Sequence, residues 1–151
     1  LTINDRMQKA GGEATLLEFK EGDHPEAVFD MTAPYEGMLK SAKRTFTKDG
    51  DASITITDEI EISPETKTIR WQLMTTADVE LTKGGAILRK DGKMLKINNL
   101  SHPEYRLSFV SLDPAPLEHD RQIKGLKRIY LIVPACTCKD GKGMIKIQLT
   151  K

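Results

Sequence analysis

Five side chains in this sequence could bind a metal ion, transfer protons or act as nucleophiles: His24, His102, His119, Cys136 and Cys138. A zinc site needs three or four ligands that converge in space, and the histidines are far apart along the chain. His24 and His102 each precede a proline, and His119 lies between two acidic residues, so all three are predicted to occupy surface loops. The sequence therefore predicts no histidine general base and no catalytic residue.

Cys136 and Cys138 form a Cys-x-Cys pair that follows Pro134. On an extended strand the two side chains would share one face, but a disulfide between them would close a very small, strained ring. A metal site would need a second cluster of ligands, and the sequence has only these two cysteines. We expect two free or oxidisable thiols near the end of a strand.

Arg44 and Asp58 carry opposite charges and are predicted to lie close to each other. The turn at Gly50 joins their strands and is predicted to place them diagonally on adjacent antiparallel strands. Asp58 has the same parity as Ile56 and Ile60, so its carboxylate is predicted to lie on an apolar face. Because a buried carboxylate needs a partner, we interpret the two residues as a buried ion pair. The alternative is that Arg44 binds the carboxylate of a uronate sugar.

The composition is that of an ordered globular protein. With 38% hydrophobic and 30% charged residues, the 151-residue chain is long enough to bury a core. Its net charge is +1 and its basic residues form no stripe, which argues against nucleic acid as a partner. No apolar run approaches the roughly 18 residues of a membrane-spanning helix, so no membrane span is predicted.

Alternating apolar and polar residues, separated by glycine turns, predict strands along nearly the whole chain. The clearest is 53–62, and charged glycine turns at 48–51 and 90–93 predict hairpins. Helix is predicted only as single turns within 33–43 and 116–124. The other predicted strands are 14–19, 27–31, 39–47, 66–76, 79–81, 85–88, 105–112, 126–133 and 144–149. Together these patterns predict a single domain over residues 1–151, an all-β antiparallel sandwich of about ten strands with little helix.

The strand that holds Trp71, the only tryptophan, is predicted to have two distinct faces. Ile69, Trp71 and Leu73 form the apolar face, so we interpret Trp71 as a core anchor between two sheets. The alternative is a tryptophan that stacks on a sugar ring. The opposite face is mixed, of the kind that packs against another domain or layer, and consists of Arg70, Gln72 and Met74.

Several short segments follow one another in a recognisable order over most of the chain. They are Leu1-Thr2-Ile3-Asn4, His24-Pro25-Glu26-Ala27-Val28-Phe29-Asp30-Met31-Thr32-Ala33-Pro34-Tyr35, Arg44, Ile56-Thr57-Asp58, the Trp71 strand with the following Val79-Glu80-Leu81 and Gly85-Ala86-Ile87-Leu88, Asp91-Gly92-Lys93, and Leu126-Lys127-Arg128-Ile129-Tyr130. In order and spacing they resemble the C-terminal β-sandwich of the heparinase II/III-like polysaccharide lyases.

The resemblance implies a function for a longer protein. Such lyases pair an N-terminal α/α toroid with a C-terminal sandwich, cleave acidic polysaccharides by β-elimination and lie in the periplasm or outside the cell. This chain would be the non-catalytic sandwich, inactive alone, that supports the toroid and lines the substrate cleft. It begins at Leu1 without an initiator methionine or a signal peptide, so we expect a fragment whose targeting signal lies upstream.

Two departures from the family pattern concern its chemistry. The catalytic tyrosine and histidines belong mainly to the toroid and to a His-Asn-Thr-type segment expected just before Leu1. Met74 stands where a Trp-x-Leu-His-Thr pattern would supply a histidine metal ligand. Asp30 matches the family's carboxylate ligand, so the resemblance leaves it as a vestigial metal candidate. Zinc occurs in family members, but we expect no cofactor in this fragment, since a thioether is a poor zinc ligand.

A second hypothesis is an independent carbohydrate-binding or adhesion-type sandwich with no enzymatic parent. An exposed row of two or three aromatic side chains on one sheet face would favour it. With aromatic residues at 5% of the chain, we expect no such row.

Overall fold

The computed structural model describes all 151 residues and contains twelve strands and two short 3₁₀ helices. The strands are β1 (Thr2–Ile3), β2 (Thr15–Lys20), β3 (Glu26–Asp30), β4 (Leu39–Asp49), β5 (Ser53–Ile62), β6 (Thr68–Thr75), β7 (Asp78–Thr82), β8 (Gly85–Lys90), β9 (Lys93–Asn99), β10 (Ser108–Ser111), β11 (Lys127–Pro134) and β12 (Lys142–Thr150). The 3₁₀ helices are Ala33–Tyr35 and Ala135–Thr137. The predicted all-β architecture is confirmed, with twelve strands where about ten were expected. None of the helical segments has the length and apolar character needed to cross a membrane.

The strands form two antiparallel sheets that enclose the core. One sheet has four strands in the order β1-β6-β11-β10, and the other has eight in the order β2-β3-β4-β5-β12-β9-β8-β7. The core consists of side chains from both sheets, including Trp71 and Leu131 from the smaller sheet and Ile60, Ile97 and Ile147 from the larger. Burying one such side chain stabilises the fold by about 1.5–3 kcal/mol. The sheets therefore pack face to face, as a sandwich requires.

The Trp71 strand has the two faces that its alternation predicts. Ile69 and Trp71 are almost fully buried, at 0% and 2% exposed, and Leu73 packs against the same core. Met74, on the opposite face, is 49% exposed. The core role of Trp71 is confirmed.

The two predicted hairpins form, and one register differs from the expectation. Asp91 and Gly92 both have positive φ values, 50° and 73°, as a two-residue turn between right-twisted strands requires. In the hairpin through Gly50, Arg44 lies directly opposite Asp58. The predicted diagonal placement is therefore wrong, because the loop between β4 and β5 sets a register in which the two residues are direct partners.

Three predicted elements differ in the structure. The predicted strand 105–112 shortens to β10 (Ser108–Ser111), because the Asn99 side chain donates hydrogen bonds to the carbonyls of His102 and Tyr105 and folds this segment into a loop. The predicted turn of helix within 116–124 is absent, and the segment forms bends and turns between β10 and β11. Cys136 lies in a 3₁₀ helix and not on an extended strand.

The larger sheet extends beyond the smaller one, so part of its core-facing surface is not covered. Leu16 and Phe19 on β2 are 53% and 59% exposed, although they share this face with the buried Ala42 and Ile60. We call this uncovered surface the apolar strip; it consists of Leu16, Phe19, Ala27, Phe29, Phe46 and Ile56.

Candidate functional site on the outer face of the four-stranded sheet

The outer face of the smaller sheet collects polar side chains from two neighbouring strands. The register of β6 and β11 pairs Arg70 with Ile132, Gln72 with Tyr130 and Met74 with Arg128. Residues that pair across a sheet point to the same side, and their neighbours Trp71, Ile129 and Leu131 point into the core. We call this outer surface the arginine face; it consists of Arg70, Gln72, Met74, Arg128, Tyr130 and Ile132.

Arg70 is held in place by two contacts. Its guanidinium carbon lies 5.4 Å from the centre of the Tyr130 ring, within the range of a cation–π interaction. Its Nη2 lies 2.5 Å from Oδ1 of Asp5, in the turn that follows β1. The Asp5 side chain is 69% exposed, so solvent screens this ion pair, which stabilises the fold by at most about 1 kcal/mol.

Arg128 is half-buried and has no carboxylate within ion-pairing distance. Its cross-strand neighbours are the apolar side chains of Met74 on β6 and Val110 on β10. The guanidinium remains charged under all ordinary conditions. Arg128 is therefore a cation without a counter-charge between two apolar neighbours.

Several polar side-chain atoms on this face make no hydrogen bond within the protein. Arg70 Nε, Gln72 Oε1 and Arg128 Nε are buried and have no hydrogen-bond partner within the protein; the one other such side-chain atom is Ser53 Oγ. Leaving a buried polar atom without a partner costs about 1–3 kcal/mol. The cost is thus concentrated in three neighbouring side chains on one surface.

Half of this face is evident from the sequence. The mixed character of Arg70, Gln72 and Met74 was predicted, whereas Arg128 and Tyr130 were not placed beside them. Their alternation with Ile129 and Leu131 indicates that they point away from the core, but the pairing of β6 with β11 is a long-range contact.

The residues present do not fit a zinc site. Asp30 lies on the outer face of the larger sheet, opposite Lys43, whereas Met74 lies on the outer face of the smaller sheet. The structure therefore does not bring the two positions together, and no group of three or more histidine, cysteine, aspartate or glutamate side chains is placed to hold a metal ion. At position 74 a neutral thioether faces the guanidinium of Arg128, which would repel a metal cation.

Asp30 has a local structural role. Its Oδ1 accepts a hydrogen bond from the backbone N–H of Thr32 at 2.8 Å. Hydrogen bonds from the side chain and backbone of Thr32 lower the pKa of the Asp30 carboxyl. Asp30 lines an open groove of about 640 Å³ together with Lys43 and Glu59, which pair with each other at 2.6 Å. The carboxylate therefore stabilises the turn that leads into the first 3₁₀ helix.

The three histidines remain far apart, and one of them is half-buried. His24 and His119 are exposed in loops, as predicted. His102 also lies in a loop, but only 16% of its side chain is exposed. Its Nε2 donates a hydrogen bond to the carbonyl of Met144 at 2.9 Å, since a carbonyl can only accept. His102 therefore lies in a loop, as predicted, but is half-buried, because its loop folds over the edge of β12.

The two cysteines are free and differ in their environments. Cys136 is exposed and Cys138 is partly buried beside β12. Burial, and secondarily the proximity of Cys136, raises the pKa of the Cys138 thiol. A raised pKa disfavours the reactive thiolate, so Cys138 has the character of a packing residue and not of a nucleophile.

The apolar strip contains three phenylalanines, of which Phe19 is exposed and Phe29 and Phe46 are half-buried. The register places Phe19, Ala27 and Phe46 in one row across β2, β3 and β4, with Phe29 beside them. The rings of Phe29 and Phe46 pack edge to face, with centroids 6.0 Å apart at an interplanar angle of 87°. Leu16 and Ile56 continue the apolar surface on either side, so the rings do not form a flat platform.

Known structures share this fold. No family model matches the sequence, and no curated protein sequence matches it. The crystal structure of heparan sulfate lyase HepC from Pedobacter heparinus superposes with a TM-score of 0.69 over 99% of this chain, at 14% sequence identity. A crystal structure of heparinase III superposes with a TM-score of 0.65 over 98% of this chain, at 15% identity. The chain spans 23% of the HepC chain and 22% of the heparinase III chain. The predicted likeness to the sandwich of heparinase-type lyases is thus confirmed as a likeness of fold.

Proposed function

We propose that this chain is the non-catalytic β-sandwich of a heparinase-like lyase that cleaves an acidic polysaccharide by β-elimination. The observation that carries the proposal is the superposition of 99% of the chain on 23% of the HepC chain. A domain that superposes along nearly its whole length on so small a share of a lyase is expected to act together with the rest of such a protein. The remainder would be the α/α toroid, and the protein would work in the periplasm or outside the cell.

The dispersed histidines support a non-catalytic role. β-Elimination needs a base and an acid within hydrogen-bonding reach of the same sugar ring. His24 and His119 lie in exposed loops, and the imidazole of His102 is engaged with the Met144 carbonyl. Tyr35, the most buried tyrosine, is 2% exposed and donates to the Leu1 carbonyl, so it is not available to a polymer. The base and acid would come from other parts of the protein.

Two surfaces of the sandwich would serve the lyase. The apolar strip is the natural contact surface for the toroid, because its contiguous apolar side chains are half-buried or, at Leu16 and Phe19, exposed, and such a surface indicates an interface. The arginine face would line the substrate cleft. We propose no metal or other cofactor for this chain; zinc, where family members hold it, would need a ligand other than Met74.

The phenylalanines favour a second candidate, an independent carbohydrate-binding or adhesion-type sandwich. Phe19, Phe29 and Phe46 do lie on one sheet face, which is the arrangement such modules use. We rank it second, because Phe29 and Phe46 pack against each other at 87° and have aliphatic neighbours on both sides. Flat stacking on a sugar ring requires the ring face to be free.

The coding region on both sides of this segment tests the proposal. We expect an upstream region that encodes a helical toroid preceded by a signal peptide. A start codon directly before Leu1 would contradict the lyase assignment and leave the independent module. In the full-length protein, Phe19→Ser with Phe46→Ser should weaken the association of sandwich and toroid, measured by limited proteolysis between them. Thr82→Ser, at the end of the edge strand β7, combined with Lys83→Ser in the turn that follows it, serves as the matched control.

The isolated chain tests the non-catalytic role. Incubation with heparan sulfate, hyaluronan or alginate should produce no absorbance from unsaturated uronate. Turnover by the isolated chain would show that it contains its own base and acid.

A further inference from the structure

The arginine face has a linear arrangement along its strands. Met74 follows Arg70 by four positions on β6, and Arg128 is the cross-strand partner of Met74. At about 3.3 Å per residue, the Cα positions of the two arginines are therefore about 13 Å apart along the strand direction. The Gln72–Tyr130 pair lies midway between them. Along the strands, the surface therefore presents the Arg70 cation, then the Gln72 amide beside the Tyr130 ring, and then the Arg128 cation.

The two cations are in different states. Arg70 is already neutralised by Asp5 and stacked on Tyr130. Arg128 has no carboxylate within ion-pairing distance and makes no cation–π contact, and its Nε makes no hydrogen bond within the protein. A guanidinium prefers a planar oxyanion, which it binds through two parallel hydrogen bonds. Arg128 is therefore the position at which a ligand anion would gain the most binding free energy.

The polar atoms between the arginines match the hydroxyls of a sugar. Gln72 Oε1 has no donor within the protein, and a sugar hydroxyl can supply one. Tyr130 adds a phenolic hydroxyl next to it, and Met74 and Ile132, which are 49% and 39% exposed, add apolar contact surface. Alternating charged, hydroxyl-compatible and apolar patches in one row fit an extended polymer better than a globular acidic surface. Nucleic acid fits poorly, because two arginines neutralise few phosphates.

We propose that the arginine face is a binding site for an acidic polysaccharide, in which Arg128 binds a carboxylate or sulfate of one sugar while Gln72 and Tyr130 contact the next. The proposal rests on the proposed function only for the class of polymer. The binding step involves no covalent chemistry. Movement of the Arg128 side chain onto the anion would give its Nε the partner that it lacks in the free protein.

Titration of the purified chain with oligosaccharides tests the site. The probes are alginate hexasaccharide, which carries carboxylates only, heparan sulfate hexasaccharide, which also carries sulfates, and neutral maltohexaose. We expect both acidic probes to bind and maltohexaose not to bind, with amide chemical-shift changes concentrated at Gln72, Arg128 and Tyr130. A preference between the acidic probes tells whether carboxylate or sulfate is the bound group.

Arg128→Gln removes the charge and keeps a hydrogen-bond donor, on a side chain two atoms shorter than that of arginine. Loss of one charge-assisted hydrogen-bonding group should weaken binding about tenfold. Arg89→Gln is the matched control, because it removes the same charge from an exposed position on β8 of the other sheet and should weaken binding less than about twofold. Equal weakening by both variants would indicate non-specific attraction and overturn the site. Absence of binding by the wild-type chain would also overturn it.

A folding defect of Arg128→Gln would be detected by its melting temperature. In that case the amide chemical-shift changes of the wild-type chain test the site without any variant. Changes located away from the arginine face would contradict the proposal. Neither result depends on whether a toroid is encoded upstream, so the failure of this site and the failure of the lyase assignment can be told apart.

Discussion

Arg44 and Asp58 face each other directly across β4 and β5 and form two parallel hydrogen bonds inside the sandwich. Arg44 Nε donates to Asp58 Oδ1 at 2.7 Å, and Nη2 donates to Oδ2 at 2.9 Å. The Asp58 side chain is 4% exposed and that of Arg44 is 22% exposed. Although burial alone would lower it, the pKa of the Arg44 guanidinium is raised, because hydrogen bonds and charge attraction from Asp58 outweigh desolvation. The predicted buried pair is confirmed, and Arg44 is not free to bind a sugar carboxylate.

Removing one partner of this pair should destabilise the fold. Asp58→Ala leaves the guanidinium of Arg44 without its counter-charge, and the expected loss is about 3 kcal/mol in the free energy of unfolding. Glu59→Ala, on the adjacent exposed position of the same strand, is the matched control and should change stability by less than about 0.5 kcal/mol. Urea unfolding followed by Trp71 fluorescence measures both. Equal midpoints for Asp58→Ala and the wild type would refute the structural role.

Ionisation of the Tyr35 phenol should lower the stability of the fold at alkaline pH. Burial raises the pKa of its phenol, and its hydroxyl donates to the Leu1 carbonyl and accepts from Gln8 at 2.8 Å. Because the folded-state pKa lies above the unfolded value, this contribution is complete below about pH 10 and is lost as the pH rises through the folded-state pKa. The melting temperature above pH 10 should therefore fall more steeply for the wild type than for Tyr35→Phe. Parallel curves for the two proteins would contradict the assignment.

Gly143 should not tolerate a side chain while Cys138 keeps its sulfur. A Cβ at Gly143 would lie 2.6 Å from Cys138 Sγ and 3.4 Å from Ile60 Cγ1. Gly143→Ala is expected to cost about 1–3 kcal/mol, and Cys138→Ala in the same chain should recover most of that loss. Cys136→Ala, which removes the exposed thiol, is the control and should recover none. Chemical denaturation of the wild type, Gly143→Ala, Cys138→Ala and the double variant gives the coupling energy, and purely additive effects would rule out the contact.

A histidine at position 74 should not create a zinc site. Met74→His would place an imidazole opposite Arg128, with no carboxylate or further histidine within reach, so zinc affinity should equal that of the wild type. Met74→His combined with Arg128→Glu supplies an imidazole and a carboxylate across the two strands, and its affinity should rise. Competition with a chromogenic chelator measures all three proteins. Tight zinc binding by the single variant would show that other ligands converge on this face.

The local pattern of the chain predicted much of the fold and little of the site. The alternation around Trp71, the hairpins at Gly50 and Gly92 and the apolar face that includes Asp58 all follow from a period of two residues and from glycine turns. The departure at Met74 was also visible in the sequence. In contrast, the partial burial of His102 depends on the Asn99 side chain, which holds the loop against β12.

What the sequence determined by itself is which side chains share a face of their own strand, because that direction is a local property of extended backbone. The tertiary structure alone decided which strands become neighbours. It joined β6 to β11 and so placed Arg128 opposite Met74, and it left a sheet of eight strands only partly covered by a sheet of four. Those pairings depend on burying apolar surface between residues distant in the chain, which no short-range pattern specifies. Both the arginine face and the apolar strip arise from them.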